Sequence, residues 1–198
     1  MNDKKYAEEQ IKRSESPIRR VIKQFYIREA LKSLKGPTLD VGCGAGQILT
    51  CLPSGSEGLE SNQYLISHLR SKGLSCRQFF LSDELTSSTL FRDQKFQSLI
   101  LSHVLEHFPH AMETLRRILQ VGSQHASLDR ILVIVPTERG YSSDETHQTF
   151  VSLSKIKEAG LNKTAGFSLK EKHFFPLNSP RLGKYFAYHE LHLLWKRN

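Results

Sequence analysis

The chain has 198 residues, of which 38% are hydrophobic and 24% are charged, and its formal net charge is +8. This composition predicts a folded domain with a sizeable core, and no apolar run approaches the ~20 residues needed to cross a bilayer. The charged first 15 residues do not resemble a signal peptide. Three cysteines (Cys43, Cys51 and Cys76) form no spaced set, so we expect a reduced cytoplasmic protein without disulfides.

Residues 1–37 are predicted to be a basic N-terminal segment with a cap helix that precedes the main domain, residues 38–198. Ser16-Pro17 is a helix start and Gly36-Pro37 a helix stop, while residues 1–15 are polar and expected to be loosely ordered. Residues 1–37 carry 10 basic and 5 acidic side chains, and residues 155–198 carry 9 and 3. A basic rim made by both ends would attract an anionic metabolite, a nucleotide sugar or RNA, but a merely solvated surface is an equal alternative.

Residues 38–46 are predicted to be a buried strand that ends in a glycine turn. Gly42, Gly44 and Gly46 permit positive φ and close approach of a ligand, and we expect unpaired amides in the turn and at a helix start at Gln47. A dinucleotide fold has glycine at the sixth position of this motif, where this chain has Gln47. Asp40 would repel a pyrophosphate but can accept a hydrogen bond from an ammonium group, which favours a zwitterionic ligand.

Glu60 lies 20 residues after Asp40, at the end of a predicted second strand. An acidic residue at this position holds ribose hydroxyls in nucleotide-binding folds, although a solvated loop carboxylate is the alternative. Ser61 and Asn62 follow it, and either can cap a helix that ends near Gly73.

The spacing from Asp40 to Gly46 resembles motif I of the class I S-adenosylmethionine-dependent methyltransferases, and residues 96–108 resemble motif IV of that family. The resemblance implies an α/β Rossmann-like fold, a doubly wound seven-stranded sheet that is mostly parallel with an antiparallel C-terminal strand. It also implies S-adenosyl-L-methionine as cofactor, with S-adenosyl-L-homocysteine as product. The cofactor residues that it implies are Asp40, Gly42, Cys43, Gly44, Gly46, Glu60, Ser61, Asp83, Ser102 and His103; the match at Asp83 is loose, and a solvated turn or helix cap is its alternative.

Towards the C-terminus, the β-branched run Arg130–Pro136 predicts a strand buried on both faces. Residues 150–161 predict a helix that ends at Gly160, and the tail predicts two strands, residues 168–175 and 185–195.

The polar segment 137–149 follows the fifth strand, where a substrate loop belongs in an open α/β sheet. We expect Tyr141 and Asp144 to bind the acceptor, unless this is a surface loop without that role. His147 with Phe150 resembles a pairing found in small-molecule and glycan-precursor methyltransferases. The resemblance places His107 on the wall of the substrate cavity, and His107 and His147 are the candidate catalytic bases because imidazole titrates near neutrality.

His103, His107 and His110, with Glu106 nearby, also permit a metal site on one helical face. No cysteine pair or distant acidic cluster completes the coordination shell, so we expect no metal.

Three functions remain. The first is methyl transfer to a small, anionic metabolite or glycan precursor through oxygen or nitrogen. The second is methylation of RNA or protein through the basic ends, and the third is a non-catalytic scaffold. The sequence predicts no membrane span and leaves the oligomeric state open.

Overall fold

The computed structural model describes residues 3–15, 17–81 and 85–198. These residues form one sheet with strand order β3-β2-β1-β4-β5-β8-β7-β6. The strands are β1 Thr38–Val41, β2 Glu57–Glu60, β3 Cys76–Gln78, β4 Ser98–Ser102, β5 Arg130–Pro136, β6 Lys163–Thr164, β7 Phe167–Phe175 and β8 Glu190–Arg197.

Strands β1 to β5 run parallel, and β8 is antiparallel to both of its neighbours, β5 and β7. The predicted α/β Rossmann-like fold is therefore confirmed. The described strands number eight rather than seven, because the two-residue β6 forms an additional short antiparallel pair with β7.

Helices cover the sheet. They are α1 Asp3–Glu15, α2 Pro17–Ser33, α3 Gln63–Ser71, α4 Ser87–Phe91, α5 Ala111–Ser123, α6 Glu138–Tyr141 and α7 Leu153–Glu158; three single 3₁₀ turns lie at Leu49–Cys51, Leu105–His107 and Pro180–Lys184. No helix among the described residues combines the length and apolar character that a membrane crossing requires.

The core lies on both faces of the sheet, as the apolar run of β5 predicted. On one face, Ile27 and Ala30 of α2 pack with Ile100, Leu132 and Ile134. On the other face, side chains of α4 and α5 pack against alternate residues of β1, β4 and β5. Helix α2 is thus part of the sheet's core, and it begins at Pro17 as predicted.

Several local predictions were wrong. Residues 3–15 form α1, which packs against α2 and α3 and buries Ala7, so this segment is helical rather than loosely ordered. The glycine turn leads into the single 3₁₀ turn at Leu49–Cys51 instead of an α-helix at Gln47. The last strand begins at Glu190, because residues 185–189 connect the third 3₁₀ turn to it. The predicted helix 150–161 is shortened to α7, with Ser152 as its N-cap.

Candidate functional site

The glycine turn, residues 42–46, follows β1 at the carboxyl edge of the sheet. The φ angles of Gly42, Gly44 and Gly46 are 71°, 53° and 74°, a region that side chains rarely adopt. A Cβ at Gly42 would lie 2.6 Å from Val104 Cγ2, and one at Gly46 would lie 2.3 Å from Leu69 Cδ2. A Cβ at Gly44 would meet nothing within 4 Å. Packing therefore requires two of the glycines, and the third faces open space that a ligand can enter.

The amides of the turn are not bare, which corrects the sequence prediction. Gly42 N and Cys43 N donate to Leu59 O at 2.8 and 3.0 Å, and Gly46 N donates to Cys43 O at 2.9 Å. Gly44 N donates to Glu60 Oε2 at 2.9 Å. These bonds hold the turn against the end of β2.

Glu60 is brought to the turn as predicted. Besides Gly44 N, its carboxylate accepts from the backbone amides of Ser61 and Asn62 at 2.8 and 2.9 Å. The Ser61 hydroxyl also donates to Oε1, at 3.3 Å, so the position that remains for a ligand hydroxyl is on Oε2, beside Gly44 N. Asn62, not Ser61, caps α3 by accepting from Tyr64 N and Leu65 N.

Asp40 lies beneath the turn and is only 2% exposed. Its Oδ2 has no hydrogen-bond partner among the described residues. Burial, together with the nearby charge of Glu60, raises the pKa of Asp40 to about 7, although a backbone hydrogen bond from Leu49 opposes the shift. A cationic group of a ligand could therefore pair with this carboxylate.

Cys43 does not offer its thiol to this space. Its Sγ lies 3.8 Å from Cys76 Sγ, and a Cβ on Gly58 would approach it to 2.7 Å. The contact with Cys76 and burial raise the pKa of the Cys43 thiol. Cys43 can therefore contribute only backbone atoms. Asp83, the remaining predicted residue on this side, lies outside the described residues.

The second part of the site begins where β4 ends, at Ser102 and His103. His103 has a φ of 56°, and its amide donates to Ile134 O at 2.9 Å. Its Nε2 lies 2.8 Å from Glu190 Oε1, and its Nδ1 lies 3.2 Å from Glu106 Oε1. Burial alone would lower the pKa of His103, but the two carboxylates outweigh it and raise the pKa to about 9. His103 is therefore an imidazolium at neutral pH.

Glu190 and His192 are polar residues in the site region that the sequence analysis did not single out. Burial alone would raise the pKa of Glu190, but the imidazolium of His103 and the contact with His192 hold it well below its usual range. His192 Nε2 lies 3.3 Å from Glu190 Oε2. Charged residues inside a predicted strand were the available signal, because a buried charge needs a partner.

The loop 137–149 folds onto the 3₁₀ turn that contains Glu106 and His107. Gln148 N and Thr149 N donate to Glu106 O at 2.7 and 3.0 Å, and Gln148 Nε2 donates to His107 O at 2.9 Å. This pairing brings His107 and His147 together, with ring centroids 4.8 Å apart.

Tyr141 and Asp144 lie beside the two histidines. The carbonyl of Tyr141 accepts from His147 Nδ1 at 2.8 Å, and the two rings stack at 5.4 Å. Asp144 Oδ1 accepts from the hydroxyl of Thr146 at 2.6 Å. Partial burial would raise the pKa of Asp144, but hydrogen bonds from Thr146 lower it.

His103, His107 and His110, which the sequence placed on one helical face as a possible metal site, do not lie on one face. His103 lies outside the 3₁₀ turn and pairs with Glu190, and His110 is an exposed residue that precedes α5. Within the described residues, the group with compatible geometry is Glu106, His107 and His147.

The two parts of the site are neighbours, because β1 pairs with both β2 and β4. From β1 the sheet continues through β2 and β3 on one side and through β4 and β5 on the other. The point between β1 and β4 is therefore a topological switch point, and open α/β sheets bind ligands in the crevice at such a point.

Three solved structures are similar to this chain over most of its length. A SAM-dependent methyltransferase from Archaeoglobus fulgidus is 18% identical, with a TM-score of 0.66, covering 90% of this chain and 94% of that one. The Haloferax volcanii complex of the Trm112 methyltransferase activator and a putative methyltransferase matches with 15% identity, a TM-score of 0.67 and coverages of 98% and 96%. Magnesium protoporphyrin IX methyltransferase from Synechocystis PCC 6803, with bound SAH, is 12% identical, with a TM-score of 0.63 and coverages of 92% and 88%.

These likenesses establish the fold, which is that of the class I S-adenosylmethionine-dependent methyltransferases. No curated protein matches the chain significantly in sequence. A family profile does match, over residues 24–129, which include β1, the glycine turn, Glu60 and the end of β4. The chain therefore belongs to the family described as methionine biosynthesis protein MetW.

Proposed function

We propose that this protein is an enzyme that transfers the methyl group of S-adenosyl-L-methionine to a small, anionic metabolite or glycan precursor, through an oxygen or nitrogen acceptor. The observation that carries the proposal is the open space over Gly44 at the switch point of the sheet, next to the carboxylate of Glu60, which accepts from Gly44 N. The similar fold of proteins whose solved structures hold SAM or SAH supports it.

The cofactor fits the chemistry of the first part of the site. The remaining acceptor position on Glu60 Oε2 would receive a ribose hydroxyl, next to the backbone of Cys43 and Ser61. The carboxylate of Asp40 would attract the ammonium group of the methionine part, directly or through water. Because Asp40 lacks a cation partner, the ligand would supply the missing charge.

The acceptor would bind on the second part. The sulfonium makes the methyl group electrophilic, so the enzyme must align a nucleophile with the methyl–sulfur bond and exclude water. The bound cofactor would supply an electrophilic methyl group, and a bond from the acceptor oxygen or nitrogen to the methyl carbon would replace the carbon–sulfur bond, whose electrons would return to sulfur. In the metal-free protein, His107 or His147 would take the acceptor's proton, and Tyr141 and Asp144 would orient it.

Local charge supports an anionic acceptor. Helix α6 and the 3₁₀ turn Pro180–Lys184 contact each other beyond the carboxyl end of β5. Their exposed side chains include Arg139, Arg181 and Lys184 against the single acid Glu138. This excess of positive charge would attract an anion to the edge that carries Tyr141. The three unpaired cysteines are compatible with a cytoplasmic location.

Calorimetric titration of the purified protein with S-adenosylmethionine and S-adenosylhomocysteine tests the proposal, with NAD as the control ligand. We expect micromolar binding of the adenosyl pair and none of NAD. Binding of neither adenosyl compound would contradict a cofactor pocket that is complete in this chain. A radiolabelled methyl-transfer screen over anionic and neutral acceptors, run in parallel, tests the acceptor class.

A further inference from the structure

Glu106, His107 and His147, which we call the histidine cluster, come from two segments that the fold brings together. One ligand atom from each lies within 4.8 Å of the others. We propose that the histidine cluster binds one divalent transition-metal cation through two imidazole nitrogens and one carboxylate oxygen.

The hydrogen bonds of the two imidazoles leave a lone pair on each ring. A carbonyl oxygen only accepts, so His147 Nδ1 donates to Tyr141 O, and in the neutral imidazole the lone pair is then on Nε2. Thr146 donates its hydroxyl proton to Asp144, so it accepts from His107 Nδ1, which lies 3.1 Å away. Metal-binding histidines typically donate their second ring nitrogen to a carbonyl, carboxylate or similar group, because this fixes the tautomer and the ring orientation.

The buried carboxylate of Glu106 has one close ion-pair neighbour, His103 Nδ1 at 3.2 Å from Oε1, and no hydrogen bond of good geometry from the described residues. Glu106 is 0% exposed, and the His103 imidazolium shares its charge with Glu190. His147 Nε2 lies 4.0 Å from the same Oε1. A cation between these two atoms would give the carboxylate a direct bond.

The cluster is held in place before any cation arrives. The two backbone hydrogen bonds that Glu106 O accepts, and the side-chain bonds from Gln148 and Thr149 to His107 O and Pro109 O, join its two segments. The side chain of His147 is 8% exposed. Such preorganisation reduces the entropy that metal binding must overcome.

The ligand set selects the class of cation. Two imidazoles and one carboxylate suit Zn²⁺, Mn²⁺ or Fe²⁺, whereas Mg²⁺ and Ca²⁺ prefer oxygen ligands. In a tetrahedral Zn²⁺ site with bonds of about 2.0–2.1 Å, ligand atoms lie about 3.3 Å apart, so the most distant pair would close by about 1.5 Å. Three protein ligands leave at least one position open.

The role of the cation rests on the proposed function, whereas its binding does not. At the open position, the cation would hold an acceptor hydroxyl or carboxyl group and lower the pKa of the hydroxyl, as it does for water. The proton would then leave to solvent instead of to His147.

The test is a titration of the full chain, without a polyhistidine tag and after dialysis against a chelator, with Co²⁺ as a spectroscopic probe. We expect one equivalent to bind with the visible bands of a four- or five-coordinate site, and Zn²⁺ to displace it. His147→Ala and Glu106→Gln should each weaken binding about 100-fold, and Thr146→Val, which removes the hydroxyl partner of His107 and Asp144 without changing a metal ligand, about tenfold. His110→Ala is the matched control, because His110 is an exposed histidine outside the cluster, and it should bind as the unaltered protein does.

Two outcomes would overturn the metal site: no visible bands with the unaltered protein, or equal Co²⁺ affinity after His147→Ala. Thermal unfolding of each metal-free variant shows whether it is folded. If Glu106→Gln does not fold, Thr146→Val still tests the metal site. Titration with S-adenosylhomocysteine on the same metal-free samples separates the two proposals. Cofactor binding without Co²⁺ binding would refute the metal site alone.

Discussion

The two parts of the carboxyl edge are built in different ways. On the β1–β2 side, the cofactor part consists of backbone turns and two carboxylates, Asp40 and Glu60, that lie 20 residues apart in the chain. On the β4–β5 side, the acceptor part consists of side chains from the 3₁₀ turn at Leu105–His107, the loop 137–149 and β8. The first part depends on local chain geometry, and the second depends on long-range charge pairing. Substitutions should therefore separate the two.

Gly46→Ala should have the largest effect, and its effect should be on stability. The new Cβ would meet Leu69 Cδ2 at 2.3 Å, and the backbone has a φ of 74°. Overpacking and left-handed strain together should lower the free energy of unfolding by about 3 kcal/mol. Gly44→Ala has the strain without the clash and should cost about 1 kcal/mol. Urea denaturation of both variants checks the difference; equal losses would show that packing beneath the turn does not matter.

Glu60→Ala should weaken S-adenosylhomocysteine binding about 30-fold, which corresponds to roughly 2 kcal/mol, because charged hydrogen bonds to the ligand would be lost. The matched control is Glu138→Ala, which removes an exposed carboxylate from α6. His107→Ala, on the acceptor side, should leave the calorimetric affinity unchanged. If His107→Ala weakened binding as much as Glu60→Ala, the separation of the two parts would be wrong.

Cofactor affinity should depend on pH through Asp40. Its pKa is raised to about 7, so below that pH the group must lose a proton before it can pair with an ammonium group. The affinity for S-adenosylmethionine should fall up to tenfold for each pH unit below about 7, or about 1.4 kcal/mol. Calorimetry in buffers of different ionisation enthalpy should detect proton release near pH 6. An affinity that is constant from pH 5.5 to 8 would contradict this role for Asp40.

His103 should make the stability of the protein depend on pH in the opposite direction, so that stability falls as the pH rises. Its folded pKa of about 9 lies above the ordinary value of 6.5, so its contribution is fully present below about pH 6.5 and is lost as pH rises through 9. Because a third of the side chain is exposed, screening should limit the change to roughly 1 kcal/mol. His103→Asn, which tolerates the positive φ, should flatten this part of the stability profile. Chemical denaturation at pH 6.5 and 9.5 measures it, and parallel losses in both proteins would refute the assignment.

Much of the cofactor part could be predicted from the sequence. The strand β1, the positive φ angles of the turn and the return of Glu60 to it are all confirmed, because they involve neighbouring segments with strong local preferences. The predictions of unpaired amides in the turn and of a helix that begins at Gln47 were wrong. The chain from Gly46 to β2 accommodates one 3₁₀ turn, and the carbonyl of Leu59 and the carboxylate of Glu60 occupy amides that were expected to be free.

The sequence by itself determined the class of fold, the position of the glycine turn and the return of Glu60 to it, since strand periodicity, glycine conformation and short chain separation act locally. Only the tertiary structure decided the acceptor part. Strand β8 runs antiparallel beside β5, so its first residue, Glu190, reaches the carboxyl edge and pairs with His103. The backbone bonds from residues 148 and 149 to Glu106 likewise decide that His147 meets His107. These contacts join segments tens of residues apart, and no local pattern specifies them.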